Sequence, residues 1–141
     1  MGVRRRGREI SLQILYKIDI RHISLDEALA TFRDNFNVKE ESWAFAELLT
    51  IGVCRNRDEI NALVEGQSQH WKLDRMPITD RNIIRIAVYE FLHMDDIPTK
   101  VSLNEAIELG KIYGSEESPA FINGILDNIH KNLAVSKGSF E

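Results

Sequence analysis

The sequence predicts an all-α fold for a chain of 141 residues. Apolar residues recur at intervals of three and four along most of the chain, which is the spacing of a helix with one buried face. No segment shows the sustained alternation of polar and apolar residues that a half-buried strand requires. The apolar stripes and the cap residues beside them delimit seven helices, at about residues 4–20, 25–36, 40–54, 57–68, 79–92, 102–113 and 118–133.

The first three helices show different patterns. The first carries isoleucine at every fourth position, which gives one apolar stripe. Before the second helix, Ser24 is followed three residues later by Glu27, which is the arrangement of a capping box. Residues 43–53 are apolar on nearly all sides, and this predicts that the third helix is central and buried. The stripe of the first helix consists of Ile10, Ile14 and Ile18.

Cap residues also delimit the later helices. The fourth helix ends before a longer connection, and Thr79 with Asp80 predicts the start of the fifth. Residues 102–105 form a second capping box at the start of the sixth helix. We expect Gly114 to end the sixth helix in a left-handed conformation and Ser118 to cap the seventh.

The composition is that of a soluble globular protein. Hydrophobic residues make up 43% of the chain and charged residues 28%, and a chain of this length is expected to form one domain. We assign this domain to residues 1–135 and expect the small, polar residues 136–141 to form a flexible tail. Cys54 is the only cysteine, which fits a reducing compartment, and no apolar run is long enough to span a membrane. We therefore expect a cytoplasmic protein.

The charge is distributed unevenly along the chain. The net charge is −4, yet residues 1–22 hold six basic and two acidic side chains, so this end carries +4 and the remainder −8. Arg4, Arg5, Arg6 and Arg8 lie at the start of the first helix. The helix dipole disfavours cations at this position, whereas guanidinium groups suit bidentate contacts with phosphate. The cluster therefore indicates a polyanion-binding site, and a solubilising tip is the alternative.

The sequence contains no motif for catalysis, metal binding or cofactor binding. The glycines are scattered and form neither of the phosphate-binding patterns G-x-G-x-x-G and G-x-x-x-x-G-K. The four histidines lie far apart, without cysteine partners, and do not have the spacing of a zinc site. We therefore predict no cofactor and no metal, and the residues give no positive evidence for an enzyme, while a catalytic pair formed by residues distant in the sequence stays open.

For two helical faces, the sequence does not decide whether the side chains lie in the core or at the surface. Phe121 lies at the edge of the stripe of the seventh helix, where an aromatic ring is able to stack on a base, and a place at the core margin is the alternative. Leu12 and Tyr16 lie off the stripe of the first helix. This second apolar strip either packs inside the fold or faces a partner protein.

Six segments of the sequence together match the pattern of one known family. They are RRRGRE at residues 4–9, LQILY at 12–16, WKLDR at 71–75, DRNIIRIAVYE at 80–90, IPTKVSLNEAIELGK at 97–111 and FINGILD at 121–127. Over most of its length, from Arg4 to about Ile129, the sequence thus resembles the NusB family of bacterial transcription antitermination factors.

The resemblance implies a seven-helix NusB-like fold, in which two three-helix bundles pack through the first and fifth helices. It implies a non-enzymatic factor that binds the boxA element of nascent ribosomal-RNA transcripts together with the ribosomal protein NusE. The antitermination complex implied by the resemblance also contains NusA, NusG and RNA polymerase.

The resemblance also implies roles for individual residues. RNA would be bound by the arginine cluster and by Glu117 and Phe121. Tyr16 and Asp80 match positions at the protein-partner surface, and the position of Leu12 on the helix adds it to this surface.

The sequence departs from the family at two positions. Gly7 stands where alanine is common and is expected to loosen the first helix by up to about 1 kcal/mol, while Pro119 precedes Phe121 and affects that turn.

Two other functions remain open: a protein-assembly adaptor that binds no RNA, and a NusB-like appendage of a ribosomal-RNA cytosine methyltransferase. The sequence also leaves open whether the free protein is a monomer or a homodimer.

Overall fold

The computed structural model describes residues 2–66 and 72–138, which form seven α-helices and contain no strand. The predicted all-α class is thus confirmed. The chain divides into two units, Met1–Asn56 and Arg57–Glu141. The first unit consists of α1 (Val3–Arg21), α2 (Leu25–Asn35) and α3 (Glu40–Arg55). The second consists of α4 (Arg57–Gly66), a short 3-10 helix (Leu73–Arg75), α5 (Ile78–His93), α6 (Thr99–Tyr113) and α7 (Ser118–Gly138).

In the first unit, α1 packs mainly on α3 and more lightly on α2. The predicted stripe of α1 is buried, as Ile10 and Ile14 show. Beside the stripe, the hydroxyls of Ser11 and Thr50 share a buried hydrogen bond of 2.8 Å, and Thr50 also bonds to the Ala46 carbonyl at 2.7 Å. Apolar packing and a satisfied polar pair therefore join α1 to α3.

The third helix is not buried on all sides, and this prediction was wrong. Trp43, Ala46 and Leu49 are buried, whereas Ala44 and Leu48 are exposed. In the first unit the neighbours of α3 are α1 and α2, and two helices do not surround a third. One apolar face of α3 therefore remains at the surface.

In the second unit, α5, α6 and α7 contact one another, and α4 packs on α5 and α7. These three mutually packed helices and the three helices of the first unit correspond to the two predicted bundles. The most enclosed segment of α5 is residues 82–88, in which every residue is buried. An enclosed helix of this kind was expected at α3 and is found at α5.

The buried polar side chains of α5 have hydrogen-bond partners on neighbouring helices. The guanidinium of Arg85 donates to Asn61 Oδ1 of α4 at 3.1 Å and to Asn82 Oδ1 at 3.1 Å. Glu90 accepts a hydrogen bond of 2.7 Å from the hydroxyl of Ser102 on α6. A buried polar group without such a partner would cost about 1–3 kcal/mol, so these bonds select one arrangement of α4, α5 and α6.

The predicted capping box at residues 102–105 is wrong. Helix α6 begins at Thr99, directly after Pro98, whose fixed backbone angle suits the start of a helix. Ser102 therefore lies inside α6, and its hydroxyl bonds to a neighbouring helix. At the other end of α6, Gly114 has φ −94° and ψ −167°, which is an extended and not a left-handed conformation.

The start of α2 agrees with the capping residue predicted from the sequence. Ser24 accepts a hydrogen bond of 3.1 Å from the backbone N–H of Glu27, as a capping residue does. Helix α5, by contrast, begins at Ile78 after Pro77, so Thr79 lies in its first turn and does not cap it.

Two predicted features reach beyond the described residues. Trp71 of the WKLDR segment lies outside them, as do residues 139–141 of the predicted tail. Helix α7 continues to Gly138, so residues 136–138, which were assigned to that tail, are helical. Among the described helices, none combines the length and the apolar character that crossing a membrane requires.

Candidate nucleic-acid interface

The arginine cluster lies in the first two turns of α1. The helix has Gly2 at its N-cap position, no side-chain cap and no acidic residue in its first turn. Arg4 and Arg5 are exposed, and Arg6 is half-buried. Cations are thus concentrated at the positive end of the helix dipole, where they are unfavourable. A bound polyanion would neutralise this charge.

The remaining arginine is enclosed by the first unit. Arg8 is 3% exposed, and its guanidinium carbon lies 5.4 Å from the centroid of the Phe45 ring on α3. Arg4 lies 5.5 Å from the centroid of the same ring, and Arg6 forms an ion pair of 3.5 Å with Glu9. The four arginines are therefore not equivalent, because Arg8 is withdrawn from solvent while the other three reach it.

Gly7 lies at the contact between α1 and α3. A Cβ atom built on Gly7 would lie 2.8 Å from Phe45 Cδ2 and 3.1 Å from the backbone oxygen of Ser42. Neighbouring atoms would have to move to accept it, so the close packing of these helices requires glycine. The sequence predicted that Gly7 loosens the helix, and the structure shows that the same residue also permits tight packing.

An open cavity of about 310 Å³ adjoins the cluster. Arg6 and Lys39 supply positive charge to its wall, and Asn37 supplies an amide. Glu40, the first residue of α3, is paired with Arg33 at 2.6 Å. The lining residues are Val3, Arg6, Asn37, Val38, Lys39 and Ser42. The basic surface therefore extends from α1 to Lys39, where it meets the acidic first turn of α3 with Glu40 and Glu41.

Glu117 and Phe121, the other predicted RNA-binding residues, lie at the start of α7 in the second unit. Glu117 is exposed and Phe121 is half-buried. The backbone N–H of Phe121 donates to the Glu117 carbonyl at 3.1 Å, so a single helical turn carries both side chains. The Phe121 ring thus lies at the core margin with part of its surface exposed, which leaves the two interpretations of this residue open.

The three residues predicted for the partner surface have different surroundings. Tyr16 is 42% exposed, whereas Leu12 is 3% exposed and Asp80 is 4% exposed. Leu12 and Asp80 are enclosed within the chain, so a role for them at a partner surface stays a prediction and would be indirect. Helical spacing had shown that Leu12 lies off the main stripe, but it did not show that Leu12 is buried while Tyr16 is exposed.

Asp80 instead binds the turn that precedes α7. Its Oδ1 accepts a hydrogen bond of 2.7 Å from the hydroxyl of Ser118, and the same hydroxyl accepts a bond of 2.9 Å from the backbone N–H of Ser115. A Cβ atom on Gly114 would overlap the Ser118 side chain, so the turn is tightly packed. Asp80 therefore holds the start of α7, and with it the turn that carries Glu117.

Sequence reasoning missed two residues of these surfaces. Phe45 was assigned to a helix buried on all sides, and its contact with the arginines depends on how α1 and α3 pack. Ile20 is exposed and lies one turn after Tyr16, on the same side of α1. The four-residue spacing of Tyr16 and Ile20 was the available signal for a longer apolar surface strip.

The candidate sites contain no sign of metal chemistry. In the described part of the chain, no group of three or more histidine, cysteine, aspartate or glutamate residues is placed to hold a metal ion.

We predict that Asp80 and Ser118 contribute to stability as a pair. Asp80→Ala and Ser118→Ala should each lower the free energy of unfolding by about 1–3 kcal/mol, because each removes the buried hydrogen bond that joins the two side chains. The double variant should lose clearly less than the sum of the two single losses. Urea denaturation measures all three values, and additive losses would contradict the pairing. Asp26→Ala, which removes an exposed first-turn carboxylate from α2, is the control and should change stability by less than about 1 kcal/mol.

Residues 5–131 of the chain match the sequence model of the NusB family. Two curated relatives are each named transcription antitermination protein NusB. The relative from Desulfatibacillum aliphaticivorans is 50% identical over 133 residues, which cover 94% of this chain and 93% of the relative. The relative from Trichlorobacter lovleyi (strain ATCC BAA-1151 / DSM 17278 / SZ) is 48% identical over 129 residues, which cover 92% of this chain and 91% of the relative. The role in these names is non-enzymatic, in agreement with the sequence-based prediction.

Solved structures share the fold of this chain. NusB from T. maritima superposes with a TM-score of 0.82 at 35% sequence identity, covering 91% of this chain and 90% of that chain. A chain from a crystal structure of antitermination factors NusB and NusE in complex with dsRNA superposes with a TM-score of 0.83. It is 24% identical and covers 94% of this chain and 98% of that chain, a likeness that concerns the fold alone. The family match spans nearly the whole chain and the relatives are about half identical to it, so this chain belongs to the NusB family.

Proposed function

We propose that this chain is an RNA-binding transcription antitermination factor that contacts the boxA element of nascent ribosomal-RNA transcripts in the cytoplasm. The ribosomal protein NusE is its proposed partner, and NusA, NusG and RNA polymerase complete the proposed complex. The names of the curated relatives support the antitermination role.

The basic surface at the start of α1 is the observation that carries the RNA-binding part of the proposal. Arg4 and Arg5 are exposed, and Arg6 is half-buried beside the cavity that Lys39 also lines. The remainder of the chain is acidic, so a polyanion would be attracted to this end and repelled elsewhere. Phosphate contacts of this kind position an RNA but do not select its sequence.

The first turn of α7 is the proposed source of base contacts. The partly exposed ring of Phe121 offers a face on which an unpaired base is able to stack. The exposed carboxylate of Glu117 repels phosphate but accepts hydrogen bonds from base amino groups. An aromatic face and an acceptor favour a single strand over a duplex, because the bases of a single strand are accessible.

The proposed partner surface lies on α1 and includes Tyr16 and Ile20. Both side chains are exposed, and they lie one helical turn apart on the same side of the helix. A tyrosine combines a large apolar ring with a hydroxyl group, which makes it a frequent anchor of protein interfaces. This strip is therefore the apolar centre of the proposed NusE contact.

Replacing Arg4, Arg5 and Arg6 by alanine should weaken the binding of a single-stranded boxA RNA and flatten its salt dependence. Each phosphate contact with a single strand contributes a slope of about −0.7 to the plot of log K against log salt, so three contacts contribute about −2. Fluorescence anisotropy at a series of salt concentrations measures this slope. Thermal stability should fall only modestly, because Arg4 and Arg5 are exposed and the half-buried Arg6 loses one ion pair with Glu9.

The matched control for this experiment removes Arg21, Arg55 and Lys100, which are exposed elsewhere on the chain. It changes the net charge by the same amount and should leave most of the salt slope in place. Equal effects of the two triple variants would show that net charge alone, and not the cluster, drives binding. Absence of RNA binding by the unmodified protein would favour the adaptor function.

Tyr16→Asp should weaken binding to NusE at least tenfold, equivalent to about 1.4 kcal/mol, because it places a charge in an apolar contact that must lose water. Isothermal titration calorimetry measures the affinity, and circular dichroism checks that the helices are intact. Leu48→Asp alters an exposed leucine on α3 and serves as the control. Unchanged NusE affinity in a folded Tyr16→Asp variant would place the interface elsewhere.

A further inference from the structure

One aromatic ring on α3 contacts two arginines of the cluster. Arg4 and Arg8 are separated by one helical turn and lie on the same side of α1. Their guanidinium carbons lie 5.5 Å and 5.4 Å from the centroid of the Phe45 ring. Both distances are within the range of about 6 Å over which a cation is attracted to an aromatic ring. Phe45 therefore interacts with two successive turns of the basic helix.

The position of this ring depends on Gly7, which lies between the two arginines. The built Cβ of Gly7 would be 2.8 Å from Phe45 Cδ2 and 3.1 Å from Phe45 Cβ. With any other residue at this position, either the ring or α1 would have to move. The glycine thus allows the ring to approach α1 closely enough to contact both guanidinium groups.

A ring contact is compatible with phosphate binding by the same guanidinium group. Cation–aromatic attraction uses the face of the planar guanidinium, whereas its N–H groups point outward from the edge in a rigid fork. A long arginine side chain that is held in place before binding loses less conformational freedom when the ligand arrives. Arg4 is exposed and Arg8 is buried, so the ring contacts one cation that reaches solvent and one that does not.

We propose that Phe45 is a positioning residue for RNA binding: through Gly7-dependent packing on α1, and with the buried Arg8 against it, its ring orients the exposed Arg4 toward RNA phosphate. This inference rests on the proposed RNA-binding function and adds a residue of α3 to the functional surface. Phe45 acts through Arg4 and does not itself contact the RNA.

The direct test compares Phe45→Leu with Phe45→Tyr in the full chain, using fluorescence anisotropy with a single-stranded boxA RNA. Leucine keeps an apolar side chain but removes the ring, so affinity should fall about threefold to tenfold. Tyrosine keeps the ring and should leave affinity within about twofold of the unmodified protein. Phe36→Leu, which removes a different exposed ring of the first unit, should leave RNA affinity unchanged.

A second pair of variants tests the role of the glycine. Gly7→Ala should lower RNA affinity in the same direction as Phe45→Leu, because the added methyl group displaces the ring. Gly124→Ala adds the same methyl group where no atom lies within 4 Å and should leave affinity unchanged. Urea denaturation of each variant confirms that the RNA measurements are made on folded protein.

The double-mutant cycle with Arg4 distinguishes positioning from direct contact. In a background that carries Arg4→Ala, Phe45→Leu should have no further effect on RNA affinity. The same loss in both backgrounds would overturn the proposal, because the ring would then act on RNA without Arg4. Unchanged affinity of Phe45→Leu in the natural background would also overturn it.

These outcomes are separable from failure of the proposed function. If removal of Arg4, Arg5 and Arg6 flattens the salt slope while Phe45→Leu has no effect, RNA binding by the cluster stands and positioning by Phe45 is wrong. If the protein binds no RNA, the proposed function fails, and the positioning role fails with it.

Discussion

The packing of α1 on α3 around Gly7 is the contact on which the basic surface of the first unit depends. Four arginines at the start of a helix repel one another and oppose the helix dipole. The structure accommodates them by giving three of them defined neighbours: Arg4 and Arg8 approach the Phe45 ring, and Arg6 pairs with Glu9. The ring reaches α1 because position 7 has no side chain. A single glycine thus links the helix packing to the arrangement of charge.

In the second unit, buried hydrogen bonds between side chains hold the helices in one arrangement. Ser102 donates to Glu90 between α6 and α5, and Ser118 donates to Asp80 between α7 and α5. Buried polar pairs contribute modest net stability, but breaking them is costly, and they therefore disfavour alternative packings. Both pairs have their acceptor on α5, which is the most enclosed helix of its unit. The turn that carries Glu117 is held by one of these pairs and not by apolar packing alone.

Helix number and approximate boundaries could be predicted from the sequence, because apolar spacing and cap residues are local properties. Ser24 acts as the predicted cap, whereas Ser102 has the same local motif and instead bonds to Glu90 of a neighbouring helix. The burial of Arg8, Leu12 and Asp80 depends on which helices cover them, and one helical wheel does not contain this information. The sequence therefore does not predict their solvent exposure, even though it places the residues on their helices. The exposure of Tyr16 was one of two outcomes that the spacing allowed.

The central claim is that the exposed arginines of α1 bind RNA directly, and arginine side-chain NMR tests it most directly. Nitrogen-15 correlation spectra of the Nε–Hε groups are recorded while a single-stranded boxA RNA is added to the unmodified protein. The resonances of Arg4, Arg5 and Arg6 should shift in proportion to RNA occupancy, and those of Arg21 and Arg55 should remain in place. Saturating RNA binding that leaves the α1 cluster resonances unmoved would contradict the claim.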